Sequence, residues 1–119
     1  TVAPTACYAS IVGDKSYLVV GQAIDRLTEL AEYGRTFDII FLDADKESYK
    51  AYYDMALDAG LLAKDGIIMA DNVLCALLYD KEDFRSQKLH EFNQHVKNDK
   101  RVEQVQLTIR EGISIIKRI

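Results

Sequence analysis

The chain has 119 residues, enough for one domain with a single core but short for a two-layer nucleotide-binding enzyme. Apolar residues make up 49% and charged residues 29%, which argues against disorder, and a net charge of −4 with scattered basic residues leaves no footprint for nucleic acid. Cys7 and Cys75 lack metal-ligand spacing, and no apolar run is long enough to cross a membrane, so a reducing, cytoplasmic setting is the expectation.

Residues 1–16 carry few marks beyond Pro4 and the turn-like Gly13-Asp14, with a strand conceivable between Cys7 and Val12. Thr1 is consistent with either removal of an initiator Met or a cut within a longer protein. From residue 17 the pattern sharpens. "YLVV" (17–20) reads as a short strand, and Ile24, Leu27, Leu30 and Ala31 then recur at helical spacing up to a stop at Gly34. "FDIIFLD" is a continuous apolar run, the pattern of a central parallel strand buried on both faces. Tyr49, Tyr52, Tyr53, Ala56 and Leu57 form the stripe of a second helix ending near Gly60, and "GIIMAD" (66–71) is a second buried strand.

A loop from Val73 to Asp83 leads to a helix around Phe84 to Asn98 with Leu89, Phe92 and Val96 inward. The final segment alternates apolar and polar residues around Glu111-Gly112, a two-residue hairpin signal. Strand and helix alternation followed by a hairpin predicts an α/β fold, a parallel sheet finished by a C-terminal antiparallel hairpin, in one domain over residues 1–119.

Two apolar runs end in oxygen ligands: Asp43 after the first, Asp71-Asn72 after the second. Ligands of open parallel sheets bind at the carboxyl ends of strands, and neighbouring strands would bring these side chains within reach of one cation. Three hard oxygens without nearby His or Cys favour Mg²⁺ or Ca²⁺; the plainer alternative is that the Asp residues start loops or cap helices. Lys46 lies three residues past Asp43. A lysine, with a reference pKa of about 10.4, becomes a useful base only where a cation or burial lowers that value, and a metal-bound hydroxyl beside it would lose its proton more readily. Otherwise Lys46 is a solvated residue in a first helical turn.

The remaining tempting residues have plainer readings. His90 and His95 are about 140° apart on a helix and cannot chelate one ion from the same face, so rim positions are expected. Cys75 has no acid-base partner nearby in sequence, the tyrosine stripe reads as core with Tyr49 able to line the site, and Asp45 can cap the helix that follows or steer Lys46.

The strings "FDIIFLDADKESYKAYYDMAL", "GIIMADNVL" and "FNQHVKNDKRVEQVQLTIREGISIIKRI" resemble the C-terminal half of the cation-dependent, S-adenosylmethionine-dependent O-methyltransferases, the family of caffeoyl-CoA and catechol O-methyltransferases. The likeness runs from about Tyr17 to Ile119 and implies a Rossmann-like methyltransferase sheet, here truncated. It implies Asp43, Asp71 and Asn72 as metal ligands and Lys46 as the base acting on a catechol-type hydroxyl of a small aromatic diol. "GQA" (Gly21, Gln22, Ala23) falls where the family contacts the adenine of the methyl donor, with Asp43 also on the cofactor side. "DNVLCA" is nearer the catechol branch than the acyl-CoA branch, which usually has Trp at the position of Cys75.

The family's Gly-rich turn, the acidic strand end that holds the donor's ribose and the N-terminal acceptor-pocket helices do not show in this sequence. Loss of two strands between Tyr17 and Phe37 would leave a gap beside "FDIIFLD", to be filled by "YLVV", by residues 1–13 or by a second chain. A homo-oligomer, with strand exchange as one route, is therefore expected. Three readings stay open: a methyltransferase, a non-catalytic descendant that binds a metal or small ligand or serves assembly, and a metal enzyme of another class that nothing specific supports.

Overall fold

The computed structural model describes residues 16–74, 80 and 82–119. Its elements are helix α1 (Ala23–Glu32), strand β1 (Phe37–Leu42), a 3-10 turn (Lys46–Ser48), helix α2 (Tyr49–Asp58), strand β2 (Leu62–Asp71), helix α3 (Phe84–Asn98), strand β3 (Val102–Leu107) and strand β4 (Ile113–Arg118). They build a four-stranded sheet in the order β1-β2-β4-β3. β1 and β2 run parallel, whereas β4 is antiparallel to both β2 and β3, so the parallel pair ends in the expected hairpin.

Among the described residues one face of the sheet is packed and the other is open. Strand alternation sends Leu42, Ile68, Ala70 and Ile116 to the packed side, where they are buried together with Tyr49, Tyr53, Ala56 and Leu57 of α2 and Leu89, Phe92 and Val96 of α3. Both helical sets recur at three- and four-residue spacing, which is why each helix has one buried stripe. Phe92 meets Tyr49 and Tyr53 edge-on at centroid distances of 5.4 and 6.0 Å. Burying a side chain such as Phe92 contributes about 1.5–3 kcal/mol.

Three expectations change. Residues 17–20 form no strand and are exposed, with Tyr17 at 86%, so "YLVV" does not pair with β1. Among the described residues β1 ends the sheet order rather than standing at its centre, and only its Leu42 is buried while Ile39 and Phe41 are 62% and 55% exposed. Apolarity here marks a strand whose outer edge and one face lack a partner among the described residues. The idea that residues 1–13 fill the gap lies outside the described residues, as do the readings of Cys7 and Cys75.

The hairpin loop is also longer than a two-residue turn. Leu107 pairs with Ile113, so the loop spans residues 108–112, with Arg110 and Gly112 in the left-handed region at φ 51° and 88°. This loop is tied to the exit of β2, because the amides of Val73 and Leu74 donate to the carbonyls of Gly112 (3.3 Å) and Glu111 (2.8 Å). A Cβ on Gly112 would lie 2.4 Å from Leu74 Cγ.

At the far end of α2, polar contacts join the helices to the start of β3. Tyr53 Oη donates to Asp99 Oδ2 at 2.8 Å, and Arg101 bridges Asp99 (2.9 Å) and Asp58 (2.6 Å). The Arg101 guanidinium holds the Asp99 carboxyl well below the usual carboxylate range, and burial, reinforced by Asp99, pushes the Tyr53 hydroxyl above its ordinary value. His95 Nε2 sits 2.6 Å from Asp54 Oδ1 and edge-on to Tyr53, while His90 is exposed, so the two histidines serve different surroundings.

Gly112→Ala should cost about 1–3 kcal/mol in urea unfolding, from a strained φ and a clash with Leu74. Asp99 has a folded pKa below its unfolded value, so its stabilisation is complete above about pH 5 and is lost as pH falls through the acid range. Asp99→Asn should remove that dependence, with the wild-type and variant stabilities converging as urea titrations are carried from about pH 5 to pH 2.

Candidate functional site

The site gathers where β1 and β2 end. Leu42 pairs with Ala70 in parallel register, so Asp43 and Asp71 are each the next residue along and leave adjacent strand ends at the same level. Adjacent strands lie about 4.8 Å apart, which makes the two backbones near neighbours. Asn72 follows with φ 61°, a left-handed conformation that Asn tolerates better than most residues, and its amide donates to Asp71 Oδ1 at 2.8 Å. The strand stops there because Asn72 turns the chain out of the extended region.

Lys46 enters from the other side. Asp45 stands at the N-cap of the 3-10 turn in extended conformation and accepts a hydrogen bond from the Ser48 hydroxyl, fixing the bend after β1. The turn brings the Lys46 ammonium back over the strand ends, where it donates to Asn72 Oδ1 at 3.2 Å and to Tyr49 Oη at 2.7 Å. Lys46 and Asn72, 26 residues apart, are thus in direct contact.

Two further residues belong here. Tyr49, read chiefly as core, has its hydroxyl within reach of the carbonyls of Asp71 (2.9 Å) and Leu42 (3.1 Å). Glu111, read only as a turn residue, accepts from Asn72 Nδ2 at 3.5 Å. Its position follows from β4 pairing with β2, since Asp71 is registered with Ile113. No sequence signal marked that contact, because it depends on which strand neighbours β2.

A groove of about 380 Å³ opens beside β1, lined among others by Gly21, Ala23, Arg26, Phe41, Asp43 and Tyr52. Gly21 and Ala23 thus share a wall with Asp43. Gln22 does not line it; it caps α1, its carbonyl accepting from the amides of Asp25 and Arg26 at 3.1 Å. Gly21 adopts φ 138°, and a Cβ there would come within 3.3 Å of Arg26 Nε, a buried nitrogen without a hydrogen-bond partner among the described residues. The small residues leave room along this wall for a flat group. A second cleft, at the 3-10 turn, is lined by Ala44, Asp45, Lys46, Glu47, Phe84 and Arg85, with Phe84 54% exposed.

Among the described residues no three His, Cys, Asp or Glu side chains cluster as a metal site, and the groups at these two strand ends are the Asp43 and Asp71 carboxylates and the Asn72 amide. That donor set is hard and oxygen-only, which fits Mg²⁺ or Ca²⁺ in kind. No helix among the described residues is long and apolar enough to cross a membrane.

Comparison with known proteins bears on this geometry. A family model described as O-methyltransferase matches residues 3–119. A Dictyostelium discoideum protein named "Probable caffeoyl-CoA O-methyltransferase 3" is 35% identical over 88% of this chain and 49% of its own length. The catechol O-methyltransferase of Mycobacterium tuberculosis is 43% identical over 53% of this chain and 27% of its own. The crystal structure of a Bacillus cereus O-methyltransferase in complex with SAH superposes with a TM-score of 0.82 at 25% identity, over 99% of this chain and 57% of that one. The chain spans about half the length of the curated relatives it matches along most of its length.

The conformation of Asn72 makes a separable prediction. Asn72→Val, a β-branched residue forced to positive φ, should lower stability by about 1–3 kcal/mol in urea unfolding, and Asn72→Gly by less than half of that.

Proposed function

This chain belongs to the O-methyltransferase family, and on that premise we propose that it serves S-adenosylmethionine- and divalent-cation-dependent methyl transfer to one hydroxyl of a catechol-like aromatic. The observation that carries the reading is the contact between Lys46 Nζ and Asn72 Oδ1 at 3.2 Å, beside the aligned ends of β1 and β2. It supports the reading by bringing the Lys46 nitrogen within reach of an oxygen suited to a hard cation.

Asp43, Asp71 and Asn72 would hold the cation, and Gly21, Gln22 and Ala23 would border the donor's adenine, with Asp43 on the same wall. When bound, the donor supplies an electrophilic methyl carbon and the cation a positive charge that acidifies the acceptor hydroxyl. This chain's own part would be to take the hydroxyl proton on the lone pair of the neutral Lys46 amine, whose two N–H groups donate to Asn72 and Tyr49 and keep the nitrogen in place. The exposed Phe84 ring beside Lys46 suits an aromatic acceptor.

A second reading, a non-catalytic metal- or ligand-binding and assembly role, is favoured by the open side of the sheet. Phe41, Met69, Ile115 and Val105 stand in register across all four strands, and Phe41 and Val105 are 55% and 59% exposed. We propose that copies of the chain associate through this side and the free edge of β1, a reading that a monodisperse monomer in sedimentation at micromolar concentration would remove.

Calorimetric titration with S-adenosylmethionine and Mg²⁺, followed by assay of catechol methylation, separates the readings. Donor binding with turnover is the expected result; metal binding without donor affinity favours the assembly reading. Asp71→Ala should weaken Mg²⁺ binding at least about tenfold, and unchanged affinity would end the metal assignment.

A further inference from the structure

Tyr49 is fully buried, and its ring packs edge-on against Phe92 at 5.4 Å. Packing accounts for the ring, which a phenylalanine would supply equally well. It does not account for the oxygen. A phenol hydroxyl withdrawn from water needs hydrogen-bond partners, and this one meets groups from three separate places in the chain. Its single proton is directed to the carbonyls at the two strand ends, Asp71 O at 2.9 Å and Leu42 O at 3.1 Å, and its lone pairs accept from Lys46 Nζ at 2.7 Å.

We infer that Tyr49 is a positioning residue: its hydroxyl holds the Lys46 ammonium against Asn72 and clamps the ends of β1 and β2 at one level. The clamp itself stands on contacts in the structure, while its use in methyl transfer rests on the function proposed above. Two features support it. Tyr49 begins α2 directly after the 3-10 turn that carries Lys46, so the tyrosine and the lysine share a rigid frame. Finally, Lys46 has a long stem with much rotamer freedom to lose, and of its two hydrogen bonds the one to Tyr49 is the shorter, 2.7 Å against 3.2 Å to Asn72.

The test reads Lys46 directly, by limited acetylation of the full chain with acetic anhydride at one fixed pH and mass spectrometry at each lysine. In the wild-type protein Lys46 should label several-fold more slowly than the exposed Lys50 and Lys64, and equal rates would overturn the inference without any variant. In Tyr49→Phe, Lys46 should label about five- to tenfold faster while Lys50 and Lys64 are unchanged; a wild-type rate at Lys46 would overturn it. In unfolding equilibria, Tyr49→Phe and Lys46→Met should be non-additive by about fivefold or more, and additive effects would again count against the clamp. In the active enzyme, kcat should fall about tenfold in Tyr49→Phe with the donor KM unchanged. If the wild-type protein methylates no catechol, the proposed function fails, and the labelling and unfolding results still decide the role of Tyr49.

Discussion

Everything at the candidate site depends on the parallel registration of β1 with β2, in which Leu42 sits opposite Ala70. That pairing puts Asp43 and Asp71 one step beyond the last paired residues on neighbouring strands. A slip of one residue would flip every following side chain to the other face of the sheet. Hydrophobic burial constrains the register: Leu42, Ile68 and Ala70 all lie in the core beneath the helices, which rules out a slip by one residue. The polar chemistry is thus located by apolar packing immediately beneath it.

Two departures from regular structure turn this scaffold into a site. Asn72 leaves the strand through a left-handed conformation, which presents its amide to Lys46 on one side and to Glu111 on the other. The hairpin between β3 and β4 is longer than its sequence signal suggested, and the hydrogen bonds from Val73 and Leu74 fasten its loop to the exit of β2. At the opposite end of α2, Asp99, Arg101, Asp58 and Tyr53 hold the helices against the start of β3. The layer that supports the site is therefore tied down by polar contacts at both ends of α2.

The open face poses a different physical problem from the packed one. Among the described residues the open face, with Ile39, Phe41 and Val105 exposed, lacks a covering layer, and β1 has no partner on its outer edge. Relatives about twice as long share this half of the fold, as the coverage of the Dictyostelium and Bacillus cereus proteins shows. A strand such as FDIIFL has the composition of a sheet interior even where its position is the sheet's end, so composition alone misjudges its exposure.

The sequence by itself determined the helices, the two strands that end in Asp43 and Asp71, the C-terminal hairpin and the family, because periodicity and short motifs are local properties of the chain. It marked Asp43, Lys46, Asp71 and Asn72 for the same reason: each directly follows or closely trails an apolar run. The tertiary structure decided what no local pattern encodes. It placed β4 beside β2 and so delivered Glu111 to Asn72, it made β1 an edge rather than a centre among the described strands, and it left residues 17–20 outside the sheet. It also gave the Tyr49 hydroxyl its partners, since a helical stripe reveals which side a ring faces but not what its oxygen will meet across the core.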